Sequence, residues 1–147
     1  KNVDFINCSF ESCNLPNMDI CEKLISRCEF INSSLVGFSV IESNLKDVSF
    51  YNSNISYMNM SSKLKNVLFT NSNMTGARLF ENEFNNVIID KCNLTDAEIY
   101  KTKLNNMDLS NSVLNGINAD LESIKGVTTD LTGICAIARL FNINIKF

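Results

Sequence analysis

The residues most able to do chemistry are six cysteines and sixteen carboxylates, in a chain of 147 residues that contains no histidine. Without histidine, a metal centre or a catalytic triad would have to be built from Cys, Asp and Glu alone. The cysteines form no CxxC pair, and they are Cys8, Cys13, Cys21, Cys28, Cys92 and Cys135. This spacing favours reduced thiols in a cytoplasmic protein over a metal site or a disulfide scaffold.

The carboxylates do not indicate catalysis either. Paired acids such as Glu81 and Glu83 have no nucleophile or base beside them, and the chain has no Gly-rich phosphate loop and only five glycines. We therefore expect a protein that is not an enzyme and that holds no cofactor and no metal.

The net charge of −3 argues against direct nucleic-acid binding. No apolar run approaches the roughly 20 residues that cross a bilayer, so no membrane segment is expected.

A repeat of five residues determines which elements carry these groups. The apolar centres of the repeat are Phe5, Phe10, Leu15, Ile20, Ile25, Phe30, Leu35, Val40, Leu45, Phe50, Ile55 and Met60, then Leu64, Phe69, Met74, Leu79, Phe84, Ile89, Leu94, Ile99, Leu104, Leu109 and Leu114. One residue is missing near Ser61 and Ser62. A small or apolar residue usually lies two positions before each centre. Because this period is neither 3.6 nor 2.0, it predicts short extended segments with two inward side chains, each followed by a turn.

Similar residue types also recur every twenty positions, which predicts that four segments form one coil and that coils stack. The core column is Phe10, Phe30, Phe50 and Phe69. The next side carries a column of small residues, namely Cys13, Ser33, Ser53, Ser72, Cys92 and Ser112. Lys23 and Asn82 fall on inward positions, where we expect the lattice to be strained or opened.

The repeat resembles that of the pentapeptide repeat family, in which a small residue, Asp or Asn, and Leu or Phe precede two variable residues. Matching segments are CNLTD at 92–96, SNLKD at 43–47, SNMTG at 72–76 and SVLNG at 112–116. The resemblance implies an all-β fold, a right-handed quadrilateral β-helix that we assign to residues 1–127.

The remaining residues, 128–147, predict a different element. Thr129 or Asp130 can serve as an N-cap, and Asn142 can end the helix. The apolar face of this amphipathic helix consists of Leu131, Ile134, Cys135, Ala138 and Phe141. Ile143, Ile145 and Phe147 then alternate with polar residues, which predicts a short terminal strand. These residues form either a cap on the solenoid or a dimerisation element.

Charge is divided between two sides of the expected coil. The side centred on Phe5 and its equivalents holds seven basic and four acidic residues, and the side centred on Ile20 holds six acidic and two basic residues. The acidic stripe on this second side includes Asp19, Glu22, Glu42, Glu81 and Glu98. Such a stripe suits a basic groove on a partner protein. Leu68 with Ile88, and Phe80 with Tyr100, are expected to form exposed stacked pairs.

The favoured function is a non-enzymatic rod that binds another protein and forms a homodimer through its C-terminus. The resemblance adds an alternative, because fluoroquinolone-resistance members of the family are dimeric rods that mimic DNA and bind gyrase, a type II topoisomerase. The basic side of this chain makes that resemblance weaker in charge than in architecture. A second alternative is a structural module of a larger protein.

Overall fold

Parallel pairing between residues one coil apart organises the computed structural model, which describes residues 3–147. The strands are β1 (Phe5–Ile6), β2 (Ser9–Glu11), β3 (Asp19–Cys21), β4 (Leu24–Ile31), β5 (Ser39–Tyr51), β6 (Asn59–Thr70), β7 (Arg78–Phe80), β8 (Glu83–Asp90), β9 (Glu98–Tyr100) and β10 (Asn118–Ala119). Two helices follow, α1 (Leu121–Ile124) and α2 (Leu131–Leu140). The strands wind into a parallel β-solenoid of about six turns, which confirms the predicted β-helix.

We number the four sides of a coil by their first centres: side 1 from Phe5, side 2 from Phe10, side 3 from Leu15 and side 4 from Ile20. Residues twenty apart pair directly, as Phe10 does with Phe30. Side 3 is joined by single bridges rather than by longer strands. The chain turns between sides through residues of positive φ, many of them asparagine, such as Asn32 at 50° and Asn52 at 49°. Asparagine tolerates this left-handed conformation better than most residues, so its abundance serves the corners.

The phenylalanine column is the centre of the core. The rings of Phe10, Phe30, Phe50 and Phe69 stack with successive centroid distances of 4.8, 4.9 and 4.9 Å. Phe30, Phe50 and Phe69 are fully buried, whereas Phe10 is half-buried near the open first coil. Such a stack combines large apolar burial with contact between aromatic faces, so each ring stabilises the coils above and below it.

Polar side chains at inward positions are accommodated because they form hydrogen bonds with the backbone of their own and the neighbouring coils. Ser53 Oγ donates to the carbonyl of Tyr51 at 3.0 Å and accepts from the N–H of Ser33 at 3.1 Å. The buried Asn82 occupies the equivalent position of another column. Its amide donates to the Met60 carbonyl at 3.0 Å and accepts from the Ser62 N–H at 2.7 Å. The expected opening at Asn82 is therefore not found, because the longer side chain satisfies the backbone of the neighbouring coil.

The missing residue has the predicted effect on register. Ile41 pairs with Ser61, a separation of twenty, whereas Asn44 pairs with Lys63, a separation of nineteen. The shift is confined to the corner between these two pairs. All later columns continue in line, since Phe50 pairs with Phe69.

Helix α2 begins and ends with well-defined caps. The Asp130 carboxylate accepts from the Gly133 N–H at 2.8 Å, which satisfies one free donor of the first turn. At the other end, Asn142 has a φ of 57°. Its N–H bonds the Arg139 carbonyl at 3.0 Å, and the Ile143 N–H bonds the Ala138 carbonyl at 2.8 Å. This pair of bonds is a Schellman motif, which stops the helix.

The predicted terminal strand is wrong. Residues 143–147 form no strand in the described chain, although their side chains alternate as a strand would require. A strand needs the edge of another strand, and this tail lies instead beside Cys135 and Arg139 of α2. Among residues 3–147, the backbone hydrogen bond that holds the tail is the one from the Ile143 N–H to the Ala138 carbonyl of α2. Hydropathy alternation alone could not reveal the missing partner.

Four cysteines serve as small wall residues, as their inward spacing suggests. Cys28 and Cys92 are buried, and Cys92 Sγ donates to the Asp90 carbonyl at 3.3 Å. Burial raises the pKa of Cys92 to about 11, and burial likewise raises the pKa of Cys28. Cys21, by contrast, is exposed. Within residues 3–147, no helix has the length and apolar character needed to cross a membrane.

We expect Phe50→Ala to lower the free energy of unfolding by about 3 to 5 kcal/mol, because it leaves a cavity between two stacked rings. Tyr57→Ala, at an aromatic side chain that is 65% exposed on the outer wall, is the matched control and should change stability little. Urea denaturation of both variants measures the difference. Equal effects of the two substitutions would show that the column does not dominate the core.

We also expect iodoacetamide to label native Cys21 readily at mildly alkaline pH and to spare Cys92. The reactive species is the thiolate, and burial keeps the Cys92 thiol protonated and shielded. Mass spectrometry of peptides before and after denaturation gives the labelled fraction at each site. Rapid native labelling of Cys92 would contradict its place in the wall.

Candidate interaction surfaces

Helix α2 has two apolar faces, and only one of them is covered. Gly133 and Ala136 are buried against the last coil, and Ile137 and Leu140 pack on the solenoid core. At Gly133 an added Cβ would collide with Thr129 Oγ1 and lie 3.2 Å from Leu114 Cδ1. A larger residue at this position would therefore force the Thr129 and Leu114 side chains to shift. This inner face closes the apolar end that a solenoid would otherwise expose.

The outer face contains most of the residues assigned from the sequence to a cap or dimer element. Leu131 is 84% exposed, Ile134 47% and Phe141 42%. Ala138 is buried at 9% exposure, and Cys135 is half-buried. The predicted apolar face is thus the solvent-facing one, and the capping residues Ile137 and Leu140 were missed. Both stripes of this helix are apolar, so periodicity could not distinguish the inner from the outer.

The tail extends the exposed apolar area. Ile143 is 57% exposed, Ile145 41%, and Phe147 is fully exposed. Ile143, Ile145 and Phe147 line a small pocket with Cys135 and Arg139 of α2. Helix and tail together form what we call the terminal apolar face, composed of Leu131, Ile134, Phe141, Ile143, Ile145 and Phe147. A contiguous face of this kind is typical of contact surfaces.

The acidic residues of side 4 fall into two groups rather than one continuous stripe. Asp19 and Glu98 belong to the same row of paired strand residues, but Ser39, Asn59 and Arg78 lie between them. Glu22 and Glu42 occupy successive corners of positive φ. In the next coil the missing residue takes away the corner position that would follow Glu42. Glu81 occupies the corner of positive φ in the coil after that.

Basic residues interrupt the same surface. Arg78 Nε lies 3.7 Å from Glu98 Oε1, and Lys101 takes the corner that follows Glu81 in the next coil. The Arg78–Glu98 pair is largely exposed, so it contributes little to stability. Its effect is to shorten the run of unpaired negative charge that a basic partner would meet.

Two apolar pairs interrupt the mostly polar outer walls. Leu68 pairs in register with Ile88 and both are exposed. Phe80 and Tyr100 make an edge-to-face contact with ring centroids 5.4 Å apart. The Arg78 guanidinium lies 5.0 Å from the Phe80 ring centroid, which partly covers this second pair. The more open apolar pair is therefore Leu68 with Ile88.

A groove opens between the fifth and sixth coils, and Ile88 lies at its rim. On sides 1 and 2, residues 83–90 pair with β6, and in the described part of the chain the backbone bonds that residues 103–110 make to another coil go to the following coil. The Leu104 N–H bonds the Ser123 carbonyl at 2.7 Å, for example. Across residues 3–147, no backbone hydrogen bond joins 83–90 to 103–110. The groove has a cavity volume of about 640 Å³.

The same two coils remain joined on the other sides. Leu94 N–H bonds the Val113 carbonyl at 2.8 Å on side 3, and β9 pairs with β10 on side 4. Hydrogen bonds between asparagine side chains at equivalent corners show where the contact between coils is lost. The Asn86 amide donates to Asn66 Oδ1 at 2.8 Å, but within the described residues the row does not continue to Asn106. No sequence signal indicates this opening, because the apolar centres run through both coils without interruption.

None of these surfaces has the constellation of a catalytic or metal centre. Among residues 3–147, no group of three or more Cys, Asp or Glu side chains is placed to hold a metal ion. The Asp108 carboxyl near the groove has a lowered pKa because Ser110 donates to it, and the other charged side chains in the lining are Asp90 and Lys103.

Solved structures that match this chain over most of their length share little sequence with it. A trypsin-treated form of QnrB1, a plasmid-mediated fluoroquinolone resistance protein, is 14% identical with a TM-score of 0.43, covering 98% of this chain and 100% of that one. Rfr23, a pentapeptide repeat protein from the cyanobacterium Cyanothece 51142, is 18% identical with a TM-score of 0.27, covering 86% and 91%. HetL from the cyanobacterium Nostoc sp. strain PCC 7120, a pentapeptide repeat protein involved in heterocyst differentiation regulation, is 14% identical with a TM-score of 0.29, covering 90% and 82%.

Sequence comparison is more decisive. No curated protein sequence matches the chain. Family models do match it: the model of a pentapeptide repeat region matches residues 3–79, more than half of the chain, and the model described as pentapeptide repeats (8 copies) matches residues 83–116. The break between the two matched ranges lies at the buried Asn82, where the small residue of the repeat is replaced. By its sequence and by its coils, this chain belongs to the pentapeptide repeat family.

Proposed function

We propose that the chain is a non-enzymatic interaction rod that forms a homodimer through its terminal apolar face and binds another protein through its outer walls. The observation that carries this proposal is the exposure of Leu131, Ile134 and Phe141 on a helix whose opposite face already caps the solenoid. A capping helix needs one apolar stripe. The second stripe, formed by Leu131, Ile134 and Phe141, is not needed to cap the solenoid.

A second copy is the simplest molecule to cover that face. A two-fold symmetric dimer places the same patch on both partners, so an apolar face meets its own equivalent. The terminal apolar face also carries few charges: Arg139 and Lys146 are its nearby basic residues. Self-association therefore buries aliphatic and aromatic groups without bringing many like charges together.

The side walls are left for a different protein. They are convex, and their exposed groups are mostly amides, hydroxyls and charges held on a rigid lattice. Leu68 and Ile88 supply an apolar centre on side 2, which is the kind of anchor that a partner can bury. The charge arrangement gives less support to DNA mimicry of the gyrase-binding type, because Arg78 and Lys101 interrupt the acidic residues.

We expect the double variant Leu131→Glu with Ile134→Glu to be monomeric at concentrations where the parent is a dimer of twice 16.5 kDa. Burying two carboxylates per chain in an apolar interface is unfavourable. Both positions lie in the first turns of α2, where negative charge is compatible with the helix, so folding should persist. Light scattering gives the mass, and circular dichroism checks the fold.

The matched control is Val113→Glu, which places the same charge at an exposed apolar residue on side 3 and should leave the dimer intact. A parent chain that is monomeric at high micromolar concentration would contradict the homodimer. Dissociation of the control to the same extent as the double variant would show that the terminal apolar face is not the interface.

A further inference from the structure

Two thiols, those of Cys8 and Cys28, are stacked one coil apart on side 2. Both occupy the inward position two residues before a centre of the repeat. The adjacent positions pair in register, as Ser9 does with Glu29, and the Glu29 N–H bonds the Cys8 carbonyl at 3.0 Å. The backbone therefore holds the two cysteines directly over each other.

The other cysteines of the described chain have different neighbours. Cys13 and Cys92 each donate their N–H to a serine Oγ of the next coil at 3.1 Å. Cys21 pairs with Ile41, and Cys135 lies in α2. Within residues 3–147, Cys8 and Cys28 are thus the two cysteines that share one column in neighbouring coils. Filling the wall with small residues does not by itself require such a pair.

The two sulfur atoms are within bonding reach of each other. Paired Cα atoms of parallel strands lie about 4.8 Å apart, inside the range of roughly 4.4 to 6.8 Å that a disulfide spans. The Cys28 thiol donates to the Phe5 carbonyl of the first coil at 3.3 Å. It also lies close enough to the Cys8 thiol for a hydrogen bond between the two side chains. A small movement of the first coil is enough to join them.

The two thiols differ in access to solvent. Cys8 is half-buried, whereas Cys28 is only 3% exposed. Both line a surface cavity of about 420 Å³, together with polar residues that include Arg27 and Glu29. Burial raises the pKa of the Cys28 thiol. The thiolate that a small oxidant meets first is therefore that of Cys8.

We propose that Cys8 and Cys28 are a modification site, at which hydrogen peroxide forms a reversible disulfide that fastens the first coil to the second. The Cys8 thiolate attacks peroxide: an S–O bond forms, the O–O bond breaks and hydroxide leaves, which gives a sulfenic acid. The Cys28 sulfur then attacks the Cys8 sulfur, and the sulfenic oxygen leaves as water with the Cys28 proton. In total, two thiols and one peroxide give one disulfide and two water molecules.

The position of the pair determines what the bridge does. In the described chain the first coil pairs with one neighbour only, and its inward residues Phe5, Phe10 and Leu15 are half-buried. Such a coil opens more easily than the inner coils. The disulfide prevents its side 2 from separating. This site is distant in the fold from the terminal apolar face, so the inference goes beyond the proposed function and does not depend on the homodimer.

The test uses the full chain with Cys13→Ser and Cys21→Ser, so that the tryptic peptides 2–23 and 28–46 contain one cysteine each. Serine already fills positions equivalent to Cys13, at Ser33 and Ser53. After treatment with hydrogen peroxide and alkylation, we expect non-reducing mass spectrometry to find the two peptides linked. Dithiothreitol should release them.

Two outcomes would overturn the proposal. One is that Cys8 and Cys28 remain open to alkylation after denaturation of the peroxide-treated chain, or that Cys8 reaches the sulfinic acid without a linked peptide. The other is that the linked peptides occur only in covalent dimers on a non-reducing gel, since the proposed bridge lies within one chain.

Single substitutions test the order of the two steps. In Cys28→Ser, the sulfenic acid of Cys8 has no thiol to attack it, so dimedone should label Cys8 about fivefold more than in the parent. In Cys8→Ser, the buried Cys28 should stay unlabelled. Circular dichroism checks that both variants fold. Equal labelling of Cys8 with and without Cys28, or strong labelling of Cys28 alone, would contradict the assigned roles.

Hydrogen exchange tests whether the bridge fastens the first coil. The Ser12 N–H bonds the Ile31 carbonyl at 2.9 Å, and the Glu29 N–H bonds Cys8. We expect both amides to exchange about tenfold more slowly in the oxidised than in the reduced protein. The matched control is the Asn54 amide of an inner coil, which should not change. Unaltered exchange at Ser12 and Glu29 in the fully bridged protein would refute the fastening.

Discussion

Parallel backbone pairing between successive coils is the constraint on which the whole molecule depends. Because each residue lies directly over its equivalent one coil away, every side chain must be compatible with the one above and the one below. Phenylalanine stacks on phenylalanine at 4.8–4.9 Å, and serine bonds to the backbone beside serine. Local contacts of this kind make stability a sum over neighbouring coils. They also explain why a break in pairing between two coils is tolerated when two of the four sides stay joined.

The sequence was sufficient for the features that repeat. The spacing of apolar centres predicted the stacked four-segment coils, the aromatic column and the position of the missing residue, because each follows from side-chain types at fixed separations. It was insufficient where partners are not repeated. Ile137 and Leu140 pack inward while Leu131 and Ile134 face solvent, and both stripes have similar hydropathy. The alternation of 143–147 is genuine, yet a strand depends on an edge that the pattern does not encode.

Two inward exceptions show why residue type alone can mislead. Asn82 was expected to disturb the lattice, but its amide reaches the backbone of the coil before it and replaces the bonds that serine makes elsewhere. The groove shows the reverse situation. Phe84, Ile89, Leu104 and Leu109 keep the repeat intact, yet their coils are not hydrogen bonded on two sides. The surfaces available for binding therefore lie at the C-terminus, where the stack of coils ends, and at the groove, where the fifth and sixth coils are not paired.

The nineteen-residue step between Asn44 and Lys63 has a consequence for how the chain reaches its final arrangement. Nearly identical coils could pair with the wrong neighbour, since a slip by a whole coil would still place apolar centres over apolar centres. The shortened corner breaks this degeneracy. If the coils before the nineteen-residue step paired with the wrong coils after it, the two sets would be displaced by one residue. The apolar centres of one set would then point outward. The single missing residue thus fixes the register in which the coils pair, so that an almost periodic chain has one alignment of lowest energy.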